Sequence, residues 1–274
     1  MNVAVPTQAL PSRKLRFTIF WVFGIFFVLW LLFWYMDIGP TSFDLEPRFL
    51  IDLAHQMLPP NFGLYWTKDR LFRSLIETLS MAFLGTAWGG GIALLLAFFA
   101  ASNTSPNRVV RLAVRTLLAV QRSIPQLIVI LVLVLAVGIG PFSAVLTLTI
   151  STIGMFGKFF ADTIEQIDKH VAEAVDSLGS TRTQSIRFAV LPQVLPSFIA
   201  NLFYAFDVNL RAAIPLGVFS GAGLGFDLAF ANGLLHYRDV LAYTILIIAM
   251  ITVMERISDR IRRTIITQPM VVTK

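Results

Sequence analysis

Asp207 and Arg211 are the residues whose type and spacing carry the most chemical information in this sequence. They sit inside the apolar run 194–219, one helical turn apart, so on a helix they share a face. A charge within such a run is expensive and faces a cavity or a partner. Two readings stand. The pair neutralises itself, or Arg211, with Asn209 nearby, gives an anion a cationic lining. The run 142–160 adds Thr147, Thr149, Ser151 and Thr152. Such hydroxyls either line a wet path or bond their own helix carbonyls. Arg122 lies close enough to the end of its run to snorkel to the headgroups. "GAGLG" at 221–225 resembles a nucleotide-binding loop, but no strand precedes it. Gly221, Gly223 and Gly225 instead suggest a flexible turn or gate. His55, His170 and His236 are scattered and there is no Cys, so no metal-ligand spacing or thiolate site exists.

The stretch "EAVDSLGSTRTQSIRFAVLP", 173–192, is a polar interruption between two apolar runs. Val171, Ala174, Val175 and Leu178 recur at helical spacing, while Glu173, Asp176 and Ser177 take the other face. That spacing predicts an amphipathic helix of about two turns. Gly179 supplies a left-handed stop. Ser180 and Thr181 can cap a second helix, expected to finish near Leu191 because Pro192 lacks an amide proton.

The elements that position these groups follow from composition. The chain is 56% hydrophobic and 14% charged, whereas soluble domains carry about 25% charged residues. It therefore reads as an all-α integral membrane protein. Six transmembrane helices are expected: 17–36, 74–101, 116–137, 142–160, 194–219 and 240–254. The first is too long and too aromatic for a cleaved signal peptide. Residues 1–16 form an N-terminal tail, 37–73 an extracytoplasmic loop, 74–254 the core and 255–274 a C-terminal tail. With the N-terminus inside, the inner segments hold fifteen Lys and Arg and the outer ones five. Both termini are then cytoplasmic, as is the stretch 173–192. The net charge of +6 thus reflects topology and lipid headgroups, with no nucleic-acid partner. In 74–101, Gly85, Gly89, Ala93, Ala97 and Ala101 make a small-residue stripe for close helix packing. Pro125 and Pro215 offer kinks.

Residues 173–192 also carry a resemblance. Inner-membrane permeases of bacterial ATP-binding-cassette importers bear Glu-Ala-Ala, three residues, Gly, nine residues, Ile, one residue, Leu-Pro. Here stand Glu173, Ala174, Val175, Gly179, Ala189, Leu191 and Pro192, with Val175 and Ala189 departing from the pattern. A narrower resemblance to phosphonate importer permeases runs through "ETLSMAFLGTAWG" (77–89), "RSIPQLIVIL" (122–131), "GIGPFSAVLTLTISTIGMFGKFFADTIEQID" (138–168), "NLRAAIPLG" (209–217) and "GAGLGFDL" (221–228). It implies a type I importer permease fold in a bacterial inner membrane and a coupling helix within 169–191. Glu173, Ala174, Val175, Leu178 and Gly179 would then dock on an ATPase subunit. It further implies an extracytoplasmic substrate-binding protein, a second permease copy, and transport of phosphonate or a related phosphorus oxyanion. ATP and Mg would be held by the partner ATPase, and no cofactor by this chain, which lacks a P-loop. An importer permease for another small solute, such as an amino acid, is the alternative. A membrane-embedded enzyme is disfavoured because the charges away from the run ends are Arg122, Asp207 and Arg211, with no His or Glu partner.

Overall fold

A computed structural model describes residues 12–36, 47–63 and 68–266. The expected N-terminal tail to residue 11, much of the first loop and the C-terminal tail from residue 267 lie outside them. The chain divides into units Met1–His55 and Gln56–Lys274.

In the first unit, α1 (Ser12–Tyr35) is apolar around its whole circumference from Phe17 on, the pattern of a lipid-facing span. It is followed by α2 (Pro47–Met57).

The second unit is a helical bundle built on α3 (Lys68–Ala100) and α6 (Pro141–Glu165). The small-residue stripe explains their closeness. A Cβ on Gly85 would lie 2.5 Å from the Leu148 Cβ, and one on Gly89 2.5 Å from the Thr152 Cβ. The stripe therefore packs within the subunit. Around this pair stand α4 (Arg108–Arg122), α5 (Gln126–Val137), α9 (Leu191–Ser220) and α11 (Tyr237–Ile266). One core cluster holds Met81, Leu148, Leu210, Leu216 and Leu224. Another, nearer the α3 C-terminus, holds Ala97, Leu118, Phe160 and Val194.

Among the described residues, five helices are long and apolar enough to cross a bilayer, or six if α4 and α5 count as one broken span. The kink expected at Pro125 in the span 116–137 is a full break, because α4 and α5 meet at a 92° bend. Pro125 causes it: the proline excludes the residue before it from helix and opens α5 as its N-cap. Two further boundaries move. α11 continues past Met254 to Ile266, so 255–266 of the expected tail is helical. The helix after Thr181 does not stop at Pro192. α8 (Arg182–Ser185), a π-turn (Ile186–Val190) and α9 run on as one path, and Pro192 falls in the first turn of α9, where a missing N–H costs nothing.

Candidate functional site

The polar stretch forms α7 (Lys169–Ser177). Asp168 caps it by accepting the His170 amide at 2.9 Å, and Gly179 ends the following turn at φ +79°. Thr181 and Gln184 then make a capping box for α8. The Arg182 guanidinium donates to the Ser105 carbonyl, tying α8 to the loop after α3. The expected apolar face is present but uncovered. Val171, Ala174 and Leu178 are exposed, Leu178 at 86%, and Val175 alone of the four is partly covered. Glu173 and Gly179 are exposed as well. Beside α7, Glu165 at the end of α6 accepts the Ser102 amide at 2.6 Å and the Arg115 guanidinium at 2.7 Å. That clasp fixes the α3–α4 turn against α6.

In mid-bundle, Asn209 of α9 is buried and donates to Thr86 of α3 and Thr152 of α6, each at 2.8 Å. Thr147 and Thr149 are buried and bond their own helix at the Ser143 and Val145 carbonyls, both at 2.8 Å. The helix-bonding reading of these two hydroxyls holds. Ser151 accepts from the Gln126 amide across to α5.

The expected Asp207–Arg211 pair is corrected. Arg211 pairs with Glu255 of α11, while Asp207 is buried against Ser258 with its Oδ1 unpartnered. Because α9 and α11 run antiparallel, Arg211 meets an acid lying outside the expected span 240–254. Sequence reading ended that run at Met254, which left Glu255 outside it although α11 runs on to Ile266. The spacing of Glu255, Asp259 and Arg262 was the available signal, since all three share the face that turns toward α9.

At the other end of the bundle, Gly221 ends α9 at φ +71°, and α10 (Gly223–Gly233) starts at once. The turn is clasped and not loose. Glu77 Oε2 accepts the Gly223 amide at 3.0 Å and Thr78 Oγ1 the Leu224 amide at 2.9 Å. Gly225 packs so closely that a Cβ there would lie 1.9 Å from the Ile214 carbonyl oxygen. Arg70 and Ser74 of α3 hold Asp227 of α10. A cavity of about 540 Å³ lined by Arg70, Arg73, Glu77 and Asp227 opens beside the turn. Glu77 and Asp227 were missed from sequence because Glu77 sits in the first turn of an apolar run and Asp227 beside one, so that each reads as an end charge.

Long apolar helices, a broken pair, an uncovered amphipathic helix between two spans and a mid-bundle polar layer mark an α-helical membrane protein. Residues 93–267 match the family described as binding-protein-dependent transport system inner membrane component, and the chain belongs to it. It is a multi-pass transport permease and not an enzyme. Membership implies an ATPase subunit and a substrate-binding protein as partners. The chain is 37% identical to the phosphite transport system permease protein PtxC of Stutzerimonas stutzeri, over 87% of this chain and 86% of that protein. It is 37% identical to the phosphate-import permease protein PhnE of Mycolicibacterium smegmatis over 84% of this chain, spanning 43% of that longer protein. A chain of the inward-facing MetNI methionine ABC transporter shares the fold with a TM-score of 0.64 at 21% identity, covering 74% of this chain and 99% of that one. The type I importer permease fold is thereby shown.

Proposed function

We propose that this chain passes a phosphorus oxyanion such as phosphite, phosphate or a phosphonate across the bacterial inner membrane. The drive is ATP hydrolysis, with Mg, in a partner ATPase. The observation that carries the substrate class is the likeness to a phosphite permease over nearly the full length of both chains. The methionine transporter is too distant to bear on more than the fold.

The uncovered face of α7 supports ATPase docking there. Val171, Ala174 and Leu178 are apolar side chains on a surface helix that the bundle leaves open, and such a face calls for a partner. The end carrying α7 also carries Arg108, Arg111, Arg115, Arg182 and Arg187, against Arg70, Arg73 and Arg238 at the other. That excess supports a cytoplasmic location for α7 and for both termini. The clasped glycine turn then faces the substrate-binding protein. A second copy of this chain completes the pathway, and lipid covers the outer apolar faces.

The test is uptake by proteoliposomes containing this permease, its ATPase and its binding protein. Labelled phosphite, phosphate and methylphosphonate are compared with methionine. ATP-dependent accumulation of at least one phosphorus oxyanion is expected. Accumulation of methionine alone overturns the substrate class.

A further inference from the structure

The Arg211–Glu255 ion pair is open on one side: the two side chains keep 53% and 35% of their free exposure. Its depth is set by Asn209, less than one turn from Arg211 and bonded to residues midway along α3 and α6. An ion pair at that depth does not face hydrocarbon; it faces a water-filled cavity or another subunit. The same side of α9 also exposes Tyr204, Pro215 and Phe219, a face otherwise apolar or aromatic with one cation in it.

The chemistry of this cation matches the proposed cargo. A guanidinium presents a planar fork of N–H donors that fits two oxygens of a carboxylate or two oxygens of a tetrahedral phosphorus oxyanion. Both anions therefore compete for the same donors. An unpaired guanidinium at this depth would be destabilising. It would also hold an arriving anion too firmly to let it leave, and conduction needs binding weak enough for exit. A carboxylate already in place solves both problems, because the anion then gains only the difference between two similar pairings.

We infer that Arg211 is an oxyanion-binding residue of the translocation route and that Glu255 is its stand-in anion, holding the guanidinium while the route is empty and yielding it to the cargo. This rests on the proposed substrate class and deepens it. Asp207 does not take the stand-in role, since it is buried against Ser258. Glu255 has the exposure that lets its carboxylate swing aside.

Four variants test the exchange in the complete complex: Arg211→Gln, Arg211→Lys, Glu255→Gln and the double Arg211→Gln/Glu255→Gln. Phosphite uptake is normalised to permease carrying co-purified ATPase. Retention of labelled phosphite by the washed complex without binding protein is measured separately. Arg211→Gln should lose uptake by about tenfold or more, and the double variant should remain within about twofold of it. Glu255→Gln should retain about tenfold more phosphite than the parent while transporting it more slowly, as expected for a bare cation that grips its cargo. Arg211→Lys keeps the charge but not the fork. It should assemble and lose at least about half of uptake, and it decides the matter should Arg211→Gln fail to assemble. Recovery of uptake in the double variant would mean the pair is structural and overturns the inference. Unchanged retention in Glu255→Gln, or full uptake by Arg211→Lys, overturns it too. A parent complex that moves no phosphorus oxyanion at all sinks the substrate class instead. That outcome is separate, because it is read before any variant is compared.

Discussion

Glu77 caps α10 from a different helix: its Oε2 accepts the Gly223 amide at 3.0 Å, while its Oε1 takes the Arg73 side chain at 2.9 Å. A carboxylate at a helix N-terminus satisfies an orphan amide and meets the positive end of the helix dipole. Here it also joins the glycine turn to α3.

That relationship sets the first prediction. Glu77→Ala should destabilise the assembled permease by about 1 kcal/mol, the cost of a lost cap. Gly223→Val should cost more, by several kcal/mol. Its φ is +71°, and a Cβ would lie 2.5 Å from the Thr78 Oγ1 and 2.9 Å from the Met81 Cε. Thermal unfolding midpoints in detergent rank the two. A Gly223→Val protein as stable as Glu77→Ala would show that the turn yields freely.

A second prediction concerns α7. Leu178 is 86% exposed, so Leu178→Asp should change the permease's own stability by no more than about 0.5 kcal/mol. Recovery of the ATPase in pull-down should nonetheless fall by about tenfold. Gly179→Val, at φ +79°, should cut recovery by misdirecting the turn. Glu173→Lys, on the exposed side of α7, should weaken docking further. Full ATPase content in all three variants would remove α7 from the interface.

Much of this was legible in the sequence, and the parts that were not share a physical cause. Hydropathy finds apolar runs, and among the described residues it located α1, α3, α6 and α9 near their true places while reading α4 and α5 together. The turn after α7 was legible because Gly179 and Thr181 act locally, within a few residues of one another. What escaped depends on residues far apart in the chain. Arg211 finds Glu255 only through the antiparallel packing of α9 on α11, and Glu77 finds Gly223 only once α3 and α10 are folded together. Pro192 shows a subtler failure. A proline reads as a helix stop, but here a π-turn ends just before it, so it falls in the first turn of α9 and the helical path continues.

Topology gives the third prediction. The chain has no Cys, so single cysteines report without background. In intact cells a membrane-impermeant thiol reagent should label position 232, at the end of α10, and leave position 180, after α7, unlabelled. Permeabilised cells should label both. Labelling of 180 from outside would invert the orientation and remove α7 from any cytoplasmic ATPase.

The fourth prediction separates two ways of holding α3, α6 and α9 together. Asn209 links them through hydrogen bonds to Thr86 and Thr152. Both hydroxyls act only as acceptors there, and Thr86 already donates to the Ala82 carbonyl, so losing Asn209 leaves Thr86 no orphaned donor. Hydrogen bonds between transmembrane helices contribute about 0.6 kcal/mol each on average. Asn209→Ala should therefore destabilise by about 1–2 kcal/mol. Gly89 lies on the same α3–α6 seam and makes no side-chain bond at all. A Cβ there would lie 2.5 Å from the Thr152 Cβ and 2.8 Å from the Thr149 carbonyl oxygen. Relief requires the α6 backbone to move, because a carbonyl cannot rotate away as a flexible side chain can. Gly89→Val should accordingly exceed Asn209→Ala, with a cost above about 3 kcal/mol or loss of folding. Reversible unfolding in mixed micelles, with helicity as the readout, compares the pair directly. If Asn209→Ala proves the worse of the two, hydrogen bonding and not backbone closeness holds the centre of this bundle.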